Sequence, residues 1–237
     1  MEINNGSFRR RNLPHWDVEG KPIFITACLH GSLPSKGLAQ IKRYRQDLNS
    51  RKCPANISAE DWELIKHKLV FKFTDRLLDN HSVVLHLRNE RLASIVQNSM
   101  LYFSTERYYL YAYVIMPSHY HWLFVPRPDW EQVLNQRQLA DDRKLTPREV
   151  ISHSLQSYTS NQCNRVLGVT GTFWQRETFD HFARDESEFI RIIDYIEQNP
   201  VVAGLAKSAD EFEWSSASIR KKLGLAVGEP IVVKAQH

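Results

Sequence analysis

His119 and His121 are separated by one residue and follow directly on Met116-Pro117-Ser118, between the apolar runs Tyr113–Ile115 and Trp122–Val125. Side chains alternate faces along a strand, so these two imidazoles point one way while Tyr120 and Trp122 point the other. Two imidazoles on one face beside an apolar wall are a candidate pair of metal ligands. Downstream, a helical pattern from Glu186 to Asn199 carries the apolar stripe Phe189, Ile193 and Ile196, with Tyr195 outside it. The same-face neighbours of Tyr195 are Arg191 and Asn199, a cation and an amide. A structural tyrosine on an amphipathic helix usually lies at the margin of the apolar stripe. On spacing alone that structural role is still the commoner one, but a phenol in a polar row asks for another reason.

The elements that must position these residues follow from local patterns. Pro22–Leu29 is β-branched and aromatic and reads as a buried strand, and Tyr108–Ile115 reads as another. With the Pro117-Ser118 turn, the second strand and the histidine strand make an antiparallel hairpin at the centre of a sheet. A basic helical pattern opens at Ser35 and holds the densest positive cluster, Lys42, Arg43 and Arg45 with Arg51 and Lys52. Ser58 is placed to cap a helix reaching Asp79, with Trp62, Ile65, Leu69 and Phe73 at helical spacing. The run Val83–Leu87 then leads into a helix bearing Leu92, Ile95, Val96 and Met100. These segments read as core and support.

Asp129–Arg148 reads as a surface helix plus loop, and Pro147 opens a helix that Gly168 and Gly171 close near Leu167. Phe173–Phe182 reads as a further strand, and Asp185 caps the Tyr195 helix, which Pro200 should stop. Strands and helices alternating around a central hairpin predict an α+β, ferredoxin-like antiparallel sheet with helices packed on it. The chain reads as one domain over 1–237, with an extra helical insertion at about 31–100.

Composition bounds the partners. Lys plus Arg at 31 against Asp plus Glu at 27 gives a net charge of +4, a bias that permits a nucleic-acid partner without demanding one. Cys28, Cys53 and Cys163 are far apart and odd in number, which argues against a disulfide framework or a cysteine zinc site and fits a reducing cytoplasm. There is no apolar run long enough to span a membrane, and the polar stretch Met1–Asn12 does not read as a signal peptide. The expectation is a soluble, cytoplasmic protein with no membrane partner.

The ordered set His119-Tyr120-His121 after Met116-Pro117, then Phe173-Trp174-Gln175, then Asp180–Asp185, then Asp194-Tyr195-Ile196-Glu197-Gln198-Asn199-Pro200-Val201 resembles the single-tyrosine transposases of the His-hydrophobic-His superfamily. Its nearest likeness is to the branch of REP-associated tyrosine transposases. It covers the first strand and roughly Leu101–Ser216, including Trp214-Ser215-Ser216. The resemblance implies that His119 and His121 are metal ligands, Asn199 the third ligand and Tyr195 the nucleophile. It implies single-stranded DNA carrying a hairpin as partner, and leaves monomer and homodimer open.

Chemistry of that kind joins a tyrosine to a 5′-phosphate and frees a 3′-hydroxyl. A divalent cation, Mg²⁺ or Mn²⁺ for mixed nitrogen and oxygen donors, would neutralise the phosphoryl charge. A phenol with an ordinary pKa of about 10 needs activation, for which Arg191 is a candidate; Gln175 and His181 are candidates to stand behind the ligands. Arg9, Arg10 and Arg11, the Lys42, Arg43 and Arg45 cluster, Arg176 and Arg184 are candidate DNA contacts. Tyr108, Tyr109 and Tyr111 are candidates to stack on bases. The chain departs from the family pattern in carrying Ser118 where many relatives have asparagine, and bulky Tyr120 between the histidines. Two other readings compete: a catalytically silent hairpin-binding protein, and a metallohydrolase that uses water and not Tyr195.

Overall fold

The computed structural model describes residues 6–10, 14–18, 20–138, 145–176 and 178–233. Its centre is a four-stranded antiparallel sheet in the order β4-β5-β3-β6, built from β3 (Ile23–Cys28), β4 (Tyr108–Ile115), β5 (His119–Pro126) and β6 (Phe179–Phe182). The hairpin β4–β5 is flanked in sequence by two helical crossovers, one from β3 to β4 and one from β5 to β6. That is the α+β, ferredoxin-like arrangement expected from the alternation of patterns. Every residue of β3 is buried, because helices cover both faces of the sheet and a strand at its centre must be apolar on both sides.

The first face carries Ile23, Ile25, Tyr120, Trp122 and Phe124 against α3 (Glu90–Tyr102) and α5 (Pro147–Leu167), through Leu92, Val96 and Met100 and through Ile151 and Leu155. Trp122 and Tyr120 are fully buried there, and side chains of this size contribute about 1.5–3 kcal/mol each on burial. Committing Tyr120 and Trp122 to this core forces His119 and His121 onto the opposite face. That second face carries Phe24, Val114 and Leu123 against Ile193 and Ile196 of α6 (Glu186–Val202), with Phe71 of α2 (Ala59–His81) packed at its margin. A third apolar group, Cys28, Leu33, Leu77 and Leu78 with Ile41 and Phe73, joins α1 (Ser35–Ser50) to α2.

The caps sit where the sequence puts them. Ser58 Oγ accepts from Asp61 N at 3.0 Å, Asp185 Oδ1 accepts from Glu188 N at 2.8 Å, and Thr146 and Glu149 form a reciprocal capping box behind Pro147. Gly168 ends α5 in a left-handed conformation at φ 66°, which a side chain would strain.

Several expectations are corrected. Pro200 does not stop α6, which runs on to Val202 with Ala203 N bonding Asn199 O at 2.9 Å. A proline this near a helix end removes one bond, and its fixed φ suits the helix. The strand expected over Phe173–Phe182 is reduced to β6 and an isolated bridge between Leu29 and Trp174. At the N-terminus β1 (Gly6–Arg10) pairs with β2 (Pro14–Val18), which puts Arg9 and Arg10 on a strand. Arg11 lies outside the described residues. Helix α4 (Pro128–Gln138) follows β5; near the C-terminus lies α7 (Ser216–Leu223), and Ile231 N bonds Leu110 O at 2.7 Å beside β4.

Candidate metal centre

Strand register aligns His121 with Thr26 and His119 with Cys28 across the β3–β5 ladder. Thr26 Oγ1 lies 2.7 Å from His121 Nδ1, and Ser118 Oγ lies 3.0 Å from His119 Nδ1. Ser118 Oγ gives its own proton to Leu78 O at 3.4 Å, so it accepts from His119 Nδ1–H. That fixes the tautomer and leaves the lone pair on His119 Nε2 facing the second face of the sheet.

Asp75 of α2 meets both rings at their Nε2 atoms. Its Oδ1 is 3.3 Å from His121 Nε2 and 3.5 Å from His119 Nε2, and Asp79 Oδ1 is 3.8 Å from His119 Nε2. From the other side, α6 contributes Tyr195, whose hydroxyl donates to Asp75 Oδ2, and Asn199, whose Nδ2 lies 3.4 Å from Asp75 Oδ2 and 3.2 Å from His121 Nε2. Asp75, His119 and His121 present ligand atoms within 4.8 Å of one another, and all three residues are buried. The Tyr195 ring stands edge-on to His121 and Phe71 at centroid distances of 5.5 and 5.9 Å, so packing holds the phenol beside the centre.

Among the described residues, Asp75 Oδ1, Asp79 Oδ1, His119 Nε2 and Asn199 Oδ1 are buried without a hydrogen-bond partner. Such atoms are costly, and native interiors hold few. These four gather in one cluster, with carboxylate oxygens beside an imidazole nitrogen. Acceptors brought together in this way are what a cation satisfies. The two helices add to the field. Lys68 pairs with Glu188 and Asp75 with Tyr195, so α2 and α6 run parallel and both bring their negative C-terminal ends toward the cluster.

The ionisation of the groups follows from their surroundings. Burial would raise the Asp75 carboxyl, but the imidazoles and the hydrogen bonds from His121 and Tyr195 hold it below the ordinary range. Burial pushes His119 down to about 3, which keeps its imidazole neutral. Burial and the Asp75 charge push Asp79 up to about 7. Burial and then the Asp75 charge also raise the Tyr195 phenol well above its ordinary value.

The structure brings His119, His121, Tyr195 and Asn199 together and scatters the other candidates. Arg191 is exposed and its Nε donates to Ser187 O at 3.2 Å, so the charge beside the Tyr195 hydroxyl is the Asp75 carboxylate and not this guanidinium. Gln175 accepts from Cys28 Sγ at 2.9 Å, and burial lifts that thiol to about 12. His181 bonds Glu188 Oε1 at 3.0 Å in a separate cluster with Lys68 and Arg184. Lys42, Arg43, Arg45 and Arg176 are exposed, and Arg184 pairs with Asp61 as well as Glu188. Tyr108 is buried with its hydroxyl donating to Met100 O at 2.6 Å, which removes it from the residues open to a base.

Asp75 and Asp79 were missed. Their helix reads as support because its obvious stripe is apolar. The available signal was a carboxylate with Phe71 four residues before it and Leu78 three after it, a spacing that buries the charge among apolar neighbours.

No family model matches the chain, and no curated protein matches it. Among solved structures, a REP-associated tyrosine transposase bound to a REP hairpin is similar to it at 15% identity and a TM-score of 0.48, covering 97% of this chain and 94% of that one.

Proposed function

We propose that the chain is a metal-dependent endonuclease and strand transferase acting on single-stranded DNA at hairpin-associated sites, with Tyr195 as nucleophile. The observation that carries this reading is the convergence of a tyrosine hydroxyl, two imidazoles, a carboxylate and an amide from three separate elements on one buried point. The donors fit a divalent cation such as Mg²⁺ or Mn²⁺: His119 and His121 would hold it with Asp75, and the unpartnered Asn199 Oδ1 stands beside them. Bound there, the cation would supply charge neutralisation for the phosphoryl oxygens and for Asp75.

The chain's own residues do the rest. The Tyr195 oxygen forms a bond to phosphorus as the bond from phosphorus to the 3′ oxygen breaks, leaving a 5′-phosphotyrosine and a 3′-hydroxyl. Asp75 Oδ2 already accepts the phenolic hydrogen bond and is the nearest group to take that proton. Phe24, Phe71 and His121 hold the ring around it and limit its swing. On this reading α2 is no passive layer: the inserted region at about 31–100 supplies the carboxylate of the site, within a single domain.

One observation favours a second reading. The Asp75 carboxylate pushes the Tyr195 phenol away from ionisation, and two histidines with one carboxylate also suit a metallohydrolase that activates water. Purified protein incubated with labelled single-stranded hairpin DNA and Mn²⁺ separates the two. The tyrosine reading expects a covalent adduct on a denaturing gel, abolished by Tyr195→Phe. Cleavage that survives Tyr195→Phe with no adduct establishes the hydrolase.

A further inference from the structure

His119 and His121 are fully buried, so a substrate must reach the centre from its margin. A cavity of about 160 Å³ opens at that margin, where the ends of α2 and α6 meet the β4–β5 turn. It shares Asp79 with the metal cluster, and Ser118, which orients His119, lies in its wall. The remaining wall is of two kinds. Met116, Pro117 and Leu205 give it an apolar side, and Leu205 is left 39% exposed at the rim. Arg88 gives it a cation.

We propose that this cavity receives the nucleotide flanking the reacting phosphate of a single DNA strand, with Arg88 binding that nucleotide's phosphate. The assignment rests on the DNA reading above and adds a substrate site to it. Arg88 is exposed and makes no ion pair among the described residues, so nothing in the fold uses its charge. It is nevertheless well placed. Leu87 beside it is buried, Leu87 N bonds Pro117 O at 3.1 Å, and Arg88 N bonds Leu85 O at 3.0 Å, which pins the turn against the hairpin tip.

Two helix C-termini and Asp79 make this end of the molecule negative, and an anionic strand entering it needs a fixed cation. A guanidinium in the cavity wall meets that need with directional, charge-assisted donors. The apolar wall suits a sugar edge or a base face.

The test measures two affinities on full-length protein carrying Tyr195→Phe to prevent turnover: Mn²⁺ alone, and a fluorescent 20-nucleotide single strand in the presence of Mn²⁺. Arg88→Ala should weaken strand binding roughly tenfold and reduce the salt slope by roughly 0.7, the share of one single-strand phosphate. Leu205→Trp, which fills the cavity from an exposed position, should weaken the strand likewise. Neither should change Mn²⁺ affinity. If both variants bind the strand like the parent with the same salt slope, the cavity assignment is overturned while the DNA reading stands. If the parent binds Mn²⁺ but no strand, the DNA reading falls and takes the cavity with it. A deoxymononucleotide that binds as tightly as the strand would reassign the cavity to a small nucleotide and overturn the proposal.

Discussion

Two buried polar clusters share helix α6 and differ in one respect. On one side Glu197 Oε1 accepts from Ser216 Oγ at 2.6 Å and from Arg220 Nε at 2.9 Å. Arg220 spends its other donors on Ala226 O at 2.8 Å, Glu229 O at 2.9 Å and the Tyr111 carbonyl. That network is closed: the guanidinium fork finds a partner in every direction, and it ties the C-terminal segment to α6 and β4. Two residues either way along the helix, Tyr195 and Asn199 face the other cluster, where four acceptor atoms lack partners. Closed networks hold a chain together. An open one of the same size, kept in the interior at a cost, implies something that completes it.

The contrast is testable at both ends, and the largest effect belongs to the closed side. Arg220→Ala leaves Glu197 buried and uncompensated and should cost about 3–5 kcal/mol, read as a shift in the urea midpoint with unchanged slope. Metal affinity of the folded fraction should not move. Asp75→Asn tests the open side. In the parent protein, Mn²⁺ at one hundred times its dissociation constant should add about 2.7 kcal/mol of stability, seen as a rise in Tm that a chelator reverses. Asp75→Asn and His121→Ala should each abolish that rise. A parent Tm indifferent to Mn²⁺, Mg²⁺ and Zn²⁺ alike would mean that the cluster is not a metal site.

How far each side was legible in the sequence follows from the range of the interactions. His119 and His121 were readable because a strand's alternation is a local rule and the rings sit two residues apart. One turn of helix put Tyr195 and Asn199 on a shared face, and it was the resemblance, not that spacing, that set them beside the histidines. The fold class followed from the alternation of elements around a single obvious hairpin. Asp75 was not, because its neighbours in space lie some 45 and 120 residues away and its own helix shows a stripe that hides it. Arg220 was invisible for the complementary reason: Arg220-Lys221-Lys222 reads as a solvated basic run, and only the return of the C-terminal segment buries its first member. Arg191 was misjudged because a shared helix face says which residues are neighbours, not which way a long side chain turns. Local periodicity thus found the residues that the site draws from single elements, and missed those that only packing between elements supplies.

A smaller effect concerns the groups that orient the two histidines. Thr26→Val and Ser118→Ala remove the oxygens beside the Nδ1 atoms of His121 and His119. Partners of this kind are typically worth 10–100-fold in metal affinity, so each change should weaken Mn²⁺ by roughly that factor in a calorimetric titration. The fold should survive, since both are small substitutions within strands and turns that keep their backbone bonds. If Thr26→Val binds metal as the parent does, His121 is held by packing alone.

The smallest effect comes from a third cluster on α6, at Glu188, and it is a matter of pH. Burial would raise this carboxyl, but hydrogen bonds from Lys68, from the Arg184 backbone and from His181 hold it below its ordinary value of 4.5. Burial lowers His181 from 6.5 against the pull of Glu188. For His181, the unfolded chain takes up a proton below 6.5 that the folded chain refuses, so stability begins to fall as pH drops through that value. For Glu188, the stabilising ionised form is fully present above 4.5 and is lost as pH falls toward its depressed value in the fold, which steepens the decline. Lys68 and Arg184 are 35% and 47% exposed, so screening limits each pair to about 1 kcal/mol. Glu188→Gln should therefore lower stability modestly at neutral pH and flatten the limb below 4.5, measured by urea unfolding between pH 3 and 7. An unchanged acid limb in Glu188→Gln would assign the acid sensitivity to the Asp75 and His119 cluster, where a divalent cation added at neutral pH should then protect the fold.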